Sequence, residues 1–217
     1  MSLSHLLNTP GEHSLELPGV MGSIEACLSV PVDKSNDYIA VLGHPHSLQG
    51  GTMNNKVVTT LARLFKALGI ASLRFNFRGV GASFGTYDAG IGESDDMCAL
   101  ARLFQNESPG AELIFAGFSF GSYVAYRAAA QLPNALLITI APSVHHYDYT
   151  EYKPKPMPWI IVQGDLDEVV PLSLVVDFAV QEGLPLIRLA QATHFFHGQL
   201  LILKDKLTDA IQHKIAL

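Results

Sequence analysis

Ser119 stands within Gly117-Phe118-Ser119-Phe120-Gly121, behind the apolar run Leu113-Ile114-Phe115-Ala116 and ahead of an Ala-rich stretch with helical spacing. A strand that turns sharply into a helix at a serine holds that residue in a strained backbone, and the flanking glycines let neighbouring backbone pack close. The hydroxyl then stands clear at the helix N-terminus. There the unpaired N–H groups and the positive helix end favour the oxyanion that forms in acyl transfer. The chemistry on offer is nucleophilic attack on a carbonyl. Because a serine hydroxyl is a weak nucleophile, a base must take its proton and a further group must fix the tautomer of that base.

Both partners are available later in the chain. Gly164-Asp165-Leu166-Asp167-Glu168-Val169-Val170-Pro171 follows the apolar run Trp159–Gln163 and carries three carboxylates. Asp167 is the expected acid, since it lies further along the loop, whereas Asp165 beside Gly164 suits a turn cap. Ala192-Thr193-His194-Phe195-Phe196-His197 follows Leu186–Leu189. His194, directly after the strand and turn, is the expected base; His197 is expected to begin the last helix as a capping or surface residue. The early loop Gly43-His44-Pro45-His46-Ser47-Leu48-Gln49-Gly50-Gly51 would supply one oxyanion N–H, at His46, and the residue after the nucleophile, Phe120, the other. His44, Phe118 and Tyr147 are expected to contact substrate. His44 and His46 lack a suitable third ligand nearby, so neither a metal nor another cofactor is expected.

These loops need a frame. Short β-rich runs alternate with helical patterns from about residue 38, the signature of an α/β fold with a mostly parallel central sheet and helices on both faces. The expected strands are Tyr38–Leu42, Ala71–Phe77, Leu113–Ala116, Ala135–Ile140, Trp159–Gln163 and Leu186–Leu189, with Ile24–Val30 as an antiparallel entry. Val57, Val58, Leu61, Leu64, Phe65 and Leu68 recur at helical spacing and stop at Gly69. Met97, Leu100, Leu103 and Phe104 form a second stripe, preceded by Glu93, Asp95 and Asp96, which suit a positive first turn. Further helices are expected at Ser119–Leu132, at Leu172–Gln181 and from about Gly198 to Ile215. The Ser, Asp and His loops all fall at carboxyl ends of strands, the edge where open α/β sheets hold ligands. Gly79-Val80-Gly81-Ala82-Ser83-Phe84-Gly85 also follows a strand, but its third glycine falls one residue late for a dinucleotide fingerprint. It reads as a tight turn.

Composition narrows the class. The 217 residues, 48% hydrophobic and 16% charged, suffice for one domain, 1–217, with a large core. A net charge of −6 without a Lys/Arg cluster gives no reason to expect nucleic acid or an anionic membrane surface as partner. The first ten residues lack a basic, then apolar, leader pattern, and no apolar run approaches the roughly 20 residues of a bilayer span. A cytoplasmic protein acting on a small acyl substrate is the expectation; oligomeric state is left open. Cys27 and Cys98 are expected as two buried thiols.

Taken together, Gly-His-Pro-His followed by Gly-Gly-Thr-Met-Asn-Asn-Lys, Arg74-Phe75-Asn76-Phe77-Arg78-Gly79-Val80-Gly81, the Ser119 turn, Gly-Asp-Leu-Asp-Glu-Val-Val-Pro and Thr-His-Phe-Phe resemble the α/β-hydrolase superfamily. The likeness is to its small bacterial members related to dienelactone hydrolases, and it covers nearly the whole chain. Dienelactone hydrolases proper use a cysteine nucleophile where this chain has Ser119. The resemblance implies a Ser119–Asp167–His194 triad, an oxyanion held by the N–H groups of Phe120 and His46, and a serine hydrolase acting on a carboxylic ester, thioester or amide through an acyl-enzyme. A binding protein on the same fold, or a lyase or acyltransferase using the same serine, are the alternatives. Many relatives insert a helical lid after the sixth strand; residues 141–158 are too few for one, so an open site rimmed by Tyr147, Tyr149 and Tyr152 is expected.

Overall fold

A computed structural model describes residues 2–34 and 38–215; residues 1, 35–37, 216 and 217 of the expected domain lie outside the described residues. Eight strands form one sheet: β1 (Gly11–Pro18), β2 (Ser23–Val30), β3 (Tyr38–Gly43), β4 (Ala71–Phe75), β5 (Glu112–Phe118), β6 (Leu136–Ile140), β7 (Trp159–Gly164) and β8 (Leu186–Leu189). Their order across the sheet is β1-β2-β4-β3-β5-β6-β7-β8. β1 pairs antiparallel with β2, and β2 antiparallel with β4. From β4 to β8 every pairing is parallel. This is the α/β-hydrolase fold.

The parallel strands are apolar on both faces because both faces are covered. Ile39, Val41, Leu113 and Phe115 belong to one core with α3 (Ile91–Glu107), α4 (Phe120–Gln131) and α5 (Leu172–Glu182). Ala40, Leu42, Ile114, Ala116 and Phe118 belong to the other, with α2 (Lys56–Ala67) and α6 (Leu200–Gln212). One-residue alternation along β3 and β5 thus feeds both cores at once. Helix α2 starts at Asn55, whose Oδ1 accepts from Val57 N–H at 2.9 Å. It ends before Gly69, where φ is +72°.

The differences from the sequence reading sit at edges. Helix α1 (Leu3–Leu7) and strand β1 were not expected. β1 is an edge strand with a half-exposed, alternating pattern and carries little of the continuous apolar character that marks β3 or β5. α3 begins at Ile91, earlier than its apolar stripe, because the Glu93 carboxylate folds back to accept the N–H groups of Asp88 and Gly90 at 2.8 and 2.9 Å. β4 ends at Phe75, where Asn76 and Phe77 turn toward other partners, and the last helix runs from Leu200 to Gln212. Residues 141–158, between β6 and β7, hold no helix or strand, so the fold has no lid. Among the described residues no helix is long and apolar enough to cross a membrane.

Candidate active site

The turn at Ser119 is held from three sides. Ser119 adopts φ +54° and ψ −120°, a conformation L-residues seldom take, between the end of β5 and the first turn of α4. Its N–H donates to Ile140 O at 2.8 Å, while Ser122 Oγ donates to Gly117 O at 2.8 Å and accepts from Ile140 N–H at 3.0 Å. A Cβ on Gly117 would run into Gly121 O, and one on Gly121 into the backbone of Gly43 and His44. The two glycines therefore set how near the helix sits to β5 and β3. At the start of α4, the Phe120 N–H has no intrahelical acceptor.

Asp167 and His194 meet at the same edge. His194 Nδ1 lies 2.9 Å from Asp167 Oδ2, and both side chains are buried. The Asp167 carboxylate also accepts from Gln163 Nε2 at 2.9 Å, Val169 N–H at 2.9 Å and Val170 N–H at 2.7 Å. Burial alone would raise the pKa of Asp167, but the hydrogen bonds from His194, Val170 and Val169 outweigh it and hold the carboxyl below its ordinary range. A carboxylate at Nδ1 fixes the proton there and leaves Nε2 as the basic nitrogen. Asp165 points elsewhere: its two oxygens bind the Arg188 guanidinium at 2.9 and 3.1 Å near the surface. His197 is exposed, in the turn before α6, with its ring 5.9 Å from that of Phe195.

The His44–Gly51 loop crosses above Ser119. The His46 carbonyl accepts from Gln49 and Gly51 N–H groups, both at 3.0 Å, which fixes the orientation of that peptide. His46 lines the same cavity as Ser119 and His194, about 100 Å³ in volume, together with Gln49, Val169 and Phe195. A second cavity of about 430 Å³ adjoins it, sharing His46, Gln49, Ser119 and Val169 and bounded further by Phe120, Ser143, His146 and Tyr147. Ser143 Oγ lies 3.5 Å from Ser119 Oγ. Burial, reinforced by His146 and opposed by Glu93, holds the His46 imidazole below the usual histidine range.

Several expected contacts are displaced. His44 does not reach either cavity: it is fully buried, its Nδ1 lies 2.6 Å from Pro45 O, and its Nε2 accepts from Phe77 N–H at 2.9 Å. Burial lowers its pKa to about 4, against a partly offsetting bond to Pro45 O, so it is a neutral clamp between the β3 loop and the end of β4. Phe118 is likewise fully buried, its ring 5.0 Å from that of His194, and floors the histidine instead of meeting substrate. Of the three rim tyrosines only Tyr147 lines the cleft. Tyr149 is buried against Tyr126, Trp159 and Phe178. Tyr152 borders a separate depression with Lys155 and Glu182. Alternation and loop position gave no signal for the cavity residues Gln49, Ser143, His146, Val169 and Phe195, nor for Gln163 behind Asp167, because loop paths decide them.

The Gly79–Gly85 loop is occupied by the protein itself. Glu25 Oε2 accepts from Ala82 N–H at 2.9 Å and Asn76 Nδ2 at 2.7 Å. Both cysteines are buried free thiols; desolvation raises Cys98 to about 11, far from the thiolate that reactivity requires. Among the described residues no cluster of three or more His, Cys, Asp or Glu is placed to hold a metal ion.

A strained serine at a strand-to-helix turn, on a doubly covered parallel sheet with no lid, defines a class that comparison with known proteins also identifies. A serine hydrolase without a lid from Xanthomonas campestris superposes with a TM-score of 0.91 at 38% identity, covering 96% of this chain and 97% of that one. A serine hydrolase homologue from Coxiella burnetii superposes with a TM-score of 0.87 at 40% identity, covering 91% and 96%. The chain belongs to the α/β serine hydrolases without a lid. It is also 40% identical over 147 residues to an uncharacterized protein of Rickettsia prowazekii (strain Madrid E), a match that takes in 65% of this chain and 62% of that relative's length. No family model matches the chain.

Proposed function

We propose that this protein is a carboxylesterase-type serine hydrolase of small uncharged acyl substrates. Ser119 attacks the acyl carbonyl, His194 Nε2 takes the serine proton and returns it to the leaving oxygen, and Asp167 fixes the imidazole and stabilises its cation. The N–H groups of Phe120 and His46 hold the oxyanion. Water then attacks the acyl-enzyme, with His194 again as base, and releases the acid.

The observation that carries this reading is the Asp167–His194 bond at 2.9 Å, with His194 and the strained Ser119 lining one cavity. A binding protein would have no use for that strain. The decisive experiment is labelling with a fluorophosphonate probe alongside hydrolysis of 4-nitrophenyl esters. Labelling and turnover are both expected in the native protein and absent in Ser119→Ala. Turnover that survives Ser119→Ala would remove the serine mechanism. If an added alcohol captured most of the acyl group, the protein would be a transferase using the same serine.

A further inference from the structure

The wall of the larger cavity contains a directed chain of hydrogen bonds. Leu48 N–H donates to His46 Nδ1 at 3.3 Å, so that nitrogen carries no proton and the neutral ring has its hydrogen on Nε2. His46 Nε2 lies 3.2 Å from Tyr87 Oη, which the ring therefore donates to. Tyr87 Oη lies 3.3 Å from Tyr147 Oη. Either hydroxyl can donate in this pair; donation from His46 into Tyr87 Oη favours the arrangement in which Tyr87 in turn donates to Tyr147. In that arrangement Tyr147 keeps a hydroxyl hydrogen for an acceptor in the 430 Å³ cavity, which its side chain lines. Its ring is fixed by stacking on Tyr123, centroids 4.5 Å apart, and by contact with Phe120. Each link leans on the one before it, which strengthens the last donor.

The two cavities beside Ser119 are not equivalent. The general acid must sit beside the leaving oxygen, and His194 lines only the smaller one. On the esterase reading, the leaving group departs past His194 and Phe195 and the acyl chain runs toward Phe120, Ser143 and Tyr147. Among the described residues neither cavity is lined by Lys, Arg, Asp or Glu. An anionic acyl group would lose hydration there with only the imidazoles of His46 and His146 to meet it.

Resting on the serine-esterase reading, we infer that Tyr147 selects uncharged acyl chains bearing an ether, hydroxyl or keto oxygen, which accepts the hydrogen bond that His46 and Tyr87 direct outward. Tyr147 touches the substrate; Tyr87 and the His46 side chain are positioning residues.

Matched esters test this, because replacing a chain CH₂ by oxygen keeps the shape. For 4-nitrophenyl 3-methoxypropanoate against pentanoate, and 4-methoxybutanoate against hexanoate, the ratio of kcat/KM in the native enzyme divided by that in Tyr147→Phe cancels intrinsic reactivity. In at least one pair it should be about fivefold, the worth of one neutral hydrogen bond. Tyr87→Phe should lower the same ratio about twofold, an effect that a merely structural tyrosine would not have. A 4-nitrophenyl ester of succinic acid, with its free carboxylate, should react at least about tenfold more slowly than the methoxy esters. Ratios unchanged in both pairs, or both members falling together, would overturn the assignment of Tyr147. A Tyr147-dependent ratio for 2-methoxyethyl against butyl esters of one acid would place the cavity on the leaving-group side and overturn the acyl assignment. A faster succinate would overturn the preference for uncharged chains. If none of these esters were hydrolysed, the esterase reading itself would fall, and this inference with it.

Discussion

Two loops at the carboxyl edge of the sheet each carry a pair of histidines, and they use them in opposite ways. In the His44–His46 loop the buried member is a clamp and the half-exposed member lines the cleft. In the His194–His197 loop the buried member lines the cleft and the exposed one is surface. Burial does not separate the roles; the partners of the ring nitrogens do. Both nitrogens of His44 face backbone groups, a carbonyl and an N–H, so its protonation state is fixed by the fold. His194 binds a carboxylate through Nδ1, and in the proposed mechanism Nε2 is the nitrogen that takes and returns the Ser119 proton.

The sharpest way to break this contrast is His194→Ala. Ester kcat/KM should fall by about 10⁴- to 10⁶-fold, with the thermal midpoint little altered. A variant retaining even a tenth of native activity would strip His194 of its role. Asp167→Asn should follow at about 10⁴-fold, because a neutral amide no longer fixes the imidazole tautomer. Asp165→Asn, two residues away, loses only a surface fork to Arg188 and should leave both activity and the midpoint of denaturant titration little altered. Equal kinetic losses from the two would mean that the carboxylate at His194 is not what matters.

His44 is expected to express itself in stability. Its folded pKa, about 4, lies below the roughly 6.5 of an unfolded histidine. The unfolded chain therefore binds the extra proton first as the pH falls. The stabilisation from the neutral ring is fully present above pH 6.5 and is lost between there and about pH 4, a change of about 3 kcal/mol. Urea midpoints measured across this window should slope downward with acidification in the native protein and less so in His44→Gln. Parallel slopes would show that His44 is not the titrating clamp. At the small end, His197→Ala should shift stability by no more than about 0.5 kcal/mol and leave most activity in place. If it were the inactive variant, the base would lie three residues later than His194.

Much of this architecture is legible in the sequence. Continuous apolar runs such as Leu113–Ala116 and Leu136–Ile140 can be satisfied only with cover on both faces, so the parallel sheet and its flanking helices follow from local pattern. Ser119 was legible for a related reason: glycines at 117 and 121 announce a close backbone approach that the structure locates between β5, β3 and α4. The order Ser, Asp, His along the chain, each after a strand, places all three at one edge.

The elements that escaped were those whose identity depends on distant partners. The start of α3 is decided by Glu93 reaching back to Asp88 and Gly90, and the edge strand β1 by pairing along the whole of β2. The inward turn of Tyr149, and its separation from Tyr147 two residues earlier, reflects packing against Trp159 and Phe178, which lie on β7 and α5. His44 and Phe118 sit where a sequence reader places substrate contacts. Only the fold reveals that one is consumed by Phe77 N–H and the other by the face of His194. Sequence alone determined which residues could do acyl chemistry and on which edge they stand, because strand and turn propensities are local. Tertiary structure alone decided which of them face the cleft and which residues line each cavity, because that depends on loop paths closing over long chain separations.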